Sequence, residues 1–304
     1  MAEGDELQRQ LLNAQNPDGG WGYGNGSSWT EPTAFALLAL QAGRITAGHL
    51  TSTAAERGRA WLISTQRTDG GWPPKPSVPV STWVTSLAAL ALSDTESASQ
   101  QFSNAVHWLV NQSQPQLGVI ERLAYRLRGM PVVIQPSGGS PWFPGTAAWI
   151  GPTAASVLAL CEAARKNAAR NNNGEGLKSR VREAREYILS RRCRDGGWNH
   201  GGSKYRSENA GSYPEMTGMA LLALDRAPNW ELNVSVKRAQ ALLRCPGSME
   251  AQSWLQLGLI NQGINFDPLN AASLLPCRTT RDLSLRLLAL AGRTAGNKFL
   301  PLET

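Results

Sequence analysis

The string Asp-Gly-Gly-Trp occurs three times, in "QNPDGGWGY" at 15–23, "QRTDGGWPP" at 66–74 and "CRDGGWNHG" at 193–201. Apolar segments recur alongside it, and self-similarity of this kind constrains a fold before any local propensity does. "WTEPTAFALLAL", "STWVTSLAALAL", "WIGPTAASVLAL" and "YPEMTGMALLAL" align on their last leucine. Each then carries a threonine seven residues earlier: Thr33, Thr85, Thr153 and Thr217. A fifth, degenerate copy is "SWLQLGLI", with Ser253 in the threonine place, and "LSLRLLAL", ending at Leu290, is a candidate sixth.

Alanine and leucine dominate these segments, which makes them good helix formers. They carry almost no charge on any face, as a helix buried all round requires. More polar amphipathic stretches precede them, among them "AERGRAWLISTQ" and "SRVREAREYILSRR". The unit therefore reads as an outer helix, a glycine-rich turn and an inner helix. Gly-Gly supplies positive φ at the end of the outer helix, and the aspartate bonds the turn's own backbone. Five to six such hairpins predict an all-α fold, a single α/α toroid with apolar inner helices ringed by outer ones. An open solenoid uses the same repeat, but helices apolar on every face need partners on both sides. The toroid is expected to span 1–304 as one domain, with an insertion at 115–141 and an exposed asparagine-rich loop at 166–176. Within the insertion, "VIERLAYRLRGMPVVI" (119–134) is a basic amphipathic run that suits a lid, a membrane-surface contact or extra packing.

With 304 residues, 41% hydrophobic and 17% charged, the chain is globular and not disordered. Its formal charge of +7 admits an anionic ligand such as a diphosphate, an acidic membrane surface or nucleic acid. The basic residues of 178–194, however, interleave with Glu183 and Glu186 at helical spacing, as on a solvated outer face. No nucleic-acid motif accompanies them, and nucleic acid is set aside. No apolar run approaches the roughly 18–20 residues of a membrane span, and no signal peptide is visible. Cys161, Cys193, Cys245 and Cys277 form no CxxC pair and read as free thiols of a reducing compartment. The expected location is the cytoplasm, with a peripheral contact to the inner face of the membrane left open.

"RAWLISTQRTDGGW" (59–72) resembles the QW motif of squalene and oxidosqualene cyclases, with weaker copies in "LLNAQNPDGGW" (11–21) and "AREYILSRRCRDGGW" (184–198). Arg192 holds the glutamine place in the last copy. The same repeat family includes protein prenyltransferase β subunits, so the resemblance, over about 5–290, implies an isoprenoid-handling α/α toroid. It also implies a structural role for Trp21, Trp72 and Trp198, which stack over the turns. Class II terpene cyclases of this family protonate an alkene from the middle acid of Asp-x-Asp-Asp-Thr at an inner-helix start. That string is absent here. Placing each repeat threonine on the motif's threonine puts Glu31 and Glu215 on the protonating position, and Trp83 and Gly151 on it in the other two clear copies. A carboxyl group at the mouth of an apolar ring has its pKa raised by desolvation, as a general acid needs. The competing role for both glutamates is placement at a helix N-terminus, where a carboxylate favours the macrodipole.

The prenyltransferase branch needs zinc ligands, and His49, His107 and His200 supply no such set. Asp-Asp-x-x-Asp clusters are absent too, so no metal and no cofactor are expected. Trp29, Trp83, Trp142, Phe143, Trp149, Tyr213 and Trp254 fall at or near inner-helix starts, where ring faces stabilise carbocations or plug the ring end. The leading expectation is a terpene-cyclase-like enzyme acting on a polyprenyl chain in the central cavity. Its candidate acids are Glu31 and Glu215, with Trp29, Trp83, Trp142, Trp149, Tyr213 and Trp254 against the substrate. The rival is a non-catalytic toroid that binds a lipid or a partner protein. A deep apolar pocket with a buried carboxyl group favours the first, and a ring filled by its own side chains the second.

Overall fold

The computed structural model describes residues 2–24, 26–43, 49–112, 127, 138–169, 174–201, 211–226, 231–264, 276–294 and 296–300. Eleven α-helices run along these residues. They are α1 (Ala2–Asn13), α2 (Thr30–Ala42), α3 (His49–Thr65), α4 (Val84–Leu92), α5 (Ser99–Val110) and α6 (Ile150–Ala169), followed by α7 (Glu175–Ser190), α8 (Pro214–Ala223), α9 (Asn233–Leu243), α10 (Met249–Asn261) and α11 (Thr280–Ala291). Two short antiparallel strands, β1 (Ser140–Pro141) and β2 (Ala148–Trp149), pair Ser140 with Trp149 just before α6.

The same bonds recur at each Asp-Gly-Gly-Trp corner. The aspartate accepts the backbone N–H two residues on: Asp18 from Gly20, Asp69 from Gly71 and Asp195 from Gly197. The first glycine of each pair stands at φ 93°, 90° and 90°, a region that side chains rarely adopt. Each tryptophan is wholly buried, and its indole N–H donates to a carbonyl of the preceding outer helix: Trp21 to Leu11, Trp72 to Leu62 and Trp198 to Ile188. The tryptophan's backbone N–H is accepted by the repeat threonine, at 2.9 Å for Thr33, 2.8 Å for Thr85 and 3.0 Å for Thr217. That bond is why the threonine recurs, because the turn leaves this buried donor with no backbone partner.

The glutamines extend each corner to the next outer helix. Gln15 donates to Gly19 and to Ala54 of α3, and Gln66 to Gly70 and to Gln101 of α5. Arg192, in the same place, reaches Glu231 just ahead of α9. The third inner helix has a corner of this kind that its sequence disguises. There Ser140 takes the tryptophan's place and donates its backbone N–H to Thr153 Oγ1 at 2.8 Å.

The inner helices α2, α4, α6, α8, α10 and α11 each pack on the next, and α11 packs back on α2. The cycle is closed, and the fold is an α/α toroid. Every residue of α2 and of α4 is buried, which a helix achieves only with neighbours on both sides. Outside this ring, α3 packs on α2 and α4, α5 on α4 and α6, α7 on α6, α9 on α8 and α10, and α1 on α11. Helices α8 and α10 approach each other closely. A Cβ on Gly218 would lie 2.3 Å from the Trp254 carbonyl carbon, so only glycine allows these backbones to meet.

The stretch 119–134 lies outside the described residues except for Leu127, as does most of the expected insertion at 115–141. Helix α6 runs on to Ala169 and α7 begins at Glu175, so helix occupies both ends of the stretch expected as a loop at 166–176. No helix among the described residues is long and apolar enough to cross a membrane.

Candidate active site at the mouth of the ring

The inner helices run in one direction, so their first turns gather at one end of the toroid. A cavity of about 480 Å³ opens there, and all six helix starts line it. Helix α2 contributes Glu31, the residue before α4 is Trp83, and α6 contributes Gly151. Glu215 comes from α8, Glu250 from α10 and Arg281 from α11. Deeper in the ring the walls are Phe35, Met216, Met219 and Trp254, while Trp142, His200 and Tyr213 come from the segments that lead into the helices. Trp83 meets Trp142 edge to face at 4.7 Å.

Three carboxyl groups stand on the first turns of α2, α8 and α10, where the positive helix ends favour negative charge. Arg281 is the cation among them, and its own helix end disfavours it. Its partners explain its place: Arg281 Nη1 lies 3.0 Å from Glu31 Oε1, and Nη2 bonds Glu250. Burial opposes the Arg281 charge, but Glu31 and Glu250 outweigh it and raise the pKa further. Glu31 also accepts the hydroxyl of Tyr23. Burial, and then the Glu31 carboxylate, push the Tyr23 phenol far above its ordinary value, so Tyr23 stays a donor. The Glu250 carboxyl is raised, by burial first, with Arg281 pulling it down and the Glu215 charge adding to the rise. Glu215 makes no hydrogen bond or ion pair with another described residue in the structure.

Of the residues singled out from sequence, Glu31, Glu215, Trp83, Trp142, Tyr213 and Trp254 share this one cavity. Trp29 and Trp149 are not among its walls. Trp29 lies under the Lys75 ammonium, 5.1 Å from the ring centroid, and edge-on to Tyr23. Trp149 packs against His200 at 5.9 Å. Sequence reasoning missed Glu250, Arg281 and His200. Arg281 was within reach, because it stands two residues before Leu283, which holds the threonine place in the copy ending at Leu290. Glu250 stands one residue ahead of the corresponding position, Ala251. Among the described residues, no three carboxylate, thiol or imidazole groups converge as metal ligands would.

No protein-family model matches the chain. Squalene–hopene cyclase of Alicyclobacillus acidocaldarius is 51% identical over 49 residues, which is 16% of this chain and 7% of that protein. Drimenyl diphosphate synthase of Streptomyces showdoensis is 26% identical over 235 residues, 75% of this chain and 37% of its own length. The chain thus spans much less than half of these curated relatives. Among solved structures, the type II terpene cyclase MstE from Scytonema, held with geranylgeranyl dihydroxybenzoate as substrate, superposes with a TM-score of 0.54 at 16% identity. That match covers 97% of this chain and 79% of that one. A glycosidase matches with a TM-score of 0.55 at 12% identity, over 94% of this chain and 82% of its own. The fold is therefore that of type II terpene cyclases, and the same fold also carries glycosidase chemistry. Function has to be argued from the site.

Proposed function

We propose that the ring-mouth cavity binds a polyprenyl substrate and starts its cyclisation or isomerisation by protonation, with Glu31 and Glu215 as the candidate acids. The observation that carries this is an aromatic and thioether-walled cavity of about 480 Å³ with carboxyl groups at its mouth. The names and ligands of the terpene cyclases that share the fold support it. Glu31 is held by its ion pair with Arg281 and by the Tyr23 hydroxyl. Glu215 has no such ion pair among the described residues, so its carboxyl is the one left open to a substrate in the cavity. In the proposed step the carboxyl proton forms a C–H bond at one alkene carbon while the π bond breaks. The tertiary cation that results draws on the faces of Trp83, Trp142 and Trp254. Glu215 is left as a carboxylate, and a later loss of a proton restores neutrality.

The test incubates the protein with squalene and with farnesyl and geranylgeranyl diphosphates and resolves the products by mass spectrometry. The expected result is a cyclic or rearranged isomer from one of them. Glu215→Gln should lower the rate by about a hundredfold or more, as removal of a general acid does. Turnover left intact in both Glu31→Gln and Glu215→Gln would overturn the acid assignment. The clamp of Glu31 and Glu250 on Arg281 favours a second reading, a toroid that binds an isoprenoid without converting it. Saturable binding with no product from any of the three compounds would select that reading.

A further inference from the structure

Residues 296–300 follow α11 at the far end of the ring. Asn297 is fully buried, and its amide donates to Leu288 at 3.0 Å and to Gly292 at 2.8 Å, capping the end of α11. The Lys298 side chain, 6% exposed, pairs with Glu162 of α6 at 3.2 Å and with Asp94 beyond α4. The segment is thus tied to three inner helices. Next to these anchors Phe299 turns into the ring and is 2% exposed. Its ring stacks on Trp254 at 5.6 Å and meets Phe35 edge-on at 6.2 Å.

Trp254 and Phe35 are the inner walls of the ring-mouth cavity. Phe299 itself lines a second cavity of about 370 Å³, formed at the C-terminal ends of α6, α8 and α10, whose walls mix Leu158 and Leu222 with charged groups such as Glu162, Arg185 and Arg226. Phe299 therefore backs the Phe35–Trp254 wall of the first space and faces the second. Its backbone N–H donates to Asn297 Oδ1, a bond that makes no demand on its side chain, so the turn does not require an aromatic residue there. We propose that Phe299 is a specificity-determining residue: it backs the floor of the substrate cavity, formed by Phe35 and Trp254, and so sets the length of isoprenoid chain that enters. This rests on the isoprenoid-binding reading above, but not on catalysis. An aromatic floor anchored on both sides cannot yield to a longer chain, because a packed interior has no spare volume to give. Without the Phe299 ring, Phe35 and Trp254 lose the support behind them and the cavity deepens.

The test measures binding of farnesol and of geranylgeraniol, one prenyl unit longer, through quenching of the cavity tryptophans. The proteins are the full chain and its Phe299→Ala, Phe299→Leu and Phe299→Trp variants, with thermal melts confirming that each is folded. The expected result is a preference for geranylgeraniol over farnesol that rises by about tenfold or more in Phe299→Ala, since the extra unit gains buried apolar area. Phe299→Leu should shift it in the same direction by less, and Phe299→Trp in the opposite direction. The leucine and tryptophan variants carry the test alone if the alanine variant does not fold. An unchanged ratio across the folded variants overturns the floor assignment. Failure of both alcohols to bind any of the proteins overturns this inference together with the isoprenoid reading. Length-dependent binding without turnover leaves the floor assignment standing and removes only the catalytic step.

Discussion

Replacing Arg281 with methionine removes the cation that pairs with Glu31 and Glu250 and exposes how the charges of the ring mouth are balanced. Arg281→Met keeps most of the stem's volume and leaves Glu31, 7% exposed, and Glu250 without their shared counter-ion. Stripping one partner from a buried pair costs about 3–5 kcal/mol. The Arg281 side chain is 32% exposed, so solvent screens part of that, and the expected loss at neutral pH is about 2–3 kcal/mol. Its pH dependence follows from the Glu250 carboxyl, which burial, with the Glu215 charge, already holds above a glutamate's ordinary 4.5 against the pull of Arg281. A group raised in the folded state contributes stability that is complete below its unfolded value and lost as pH rises through the folded one. Without Arg281 the Glu250 carboxyl rises further, so the deficit of the variant grows from below pH 4.5 towards neutrality. In acid, where the carboxyl groups are protonated, only the lost hydrogen bonds remain, about 1 kcal/mol. Urea unfolding of both proteins across this range measures the difference. Adding Glu250→Gln removes one stranded charge and should recover about half of the loss at neutral pH. A deficit of equal size in acid and at neutrality, or no recovery with Glu250→Gln, would show that the mouth is not held by this charge balance.

The corners allow two further tests. Thr85→Val is nearly isosteric but strands the buried backbone N–H of Trp72, at an expected cost of about 1–3 kcal/mol. Thr85→Ser should restore most of it in a thermal melt. Gly70→Ala forces φ 90° on a side chain and sets its Cβ 2.7 Å from the Asn104 carbonyl oxygen, so it should cost more than about 2 kcal/mol. Gly176→Ala, in α7 with nothing within 4 Å of the added Cβ, should instead stabilise by up to about 1 kcal/mol.

The corners were legible because each residue in them does the same work in every copy. An indole that caps the outer helix, a threonine that receives the tryptophan N–H and an aspartate that closes the turn have few substitutes. Ser140 shows where this signal fails. With no side chain to reach the outer helix it looks unlike a tryptophan, yet its backbone N–H still needs Thr153, and the threonine with the apolar segment after it marked the hairpin. Helix ends were less legible. Lys166 and Asn167 read as loop, but Lys166 sits in the last turn of α6 and pairs with Asp94 at 3.2 Å, a contact that no local pattern records.

The site was legible only where the corner chemistry pins the register. Thr33 and Thr217 each serve a tryptophan N–H, and counting back from them finds Glu31 and Glu215. No Asp-Gly-Gly-Trp string directly precedes α10 or α11. Ser253 has no tryptophan N–H to receive, and its buried hydroxyl finds no partner among the described residues. These helices are started by caps of their own, Ser248 accepting from Ala251 and a capping box between Thr279 and Asp282. With the start set by a cap, the residue facing the cavity is free to drift, and Glu250 has drifted by one. Arg281 kept the register, but its meaning depends on Glu31, 250 residues away along the chain. That pair forms only because α11 closes on α2. The counter-ion of a first-helix acid is thus supplied by the last helix of the ring, so the charge at the mouth is complete only when the ring is.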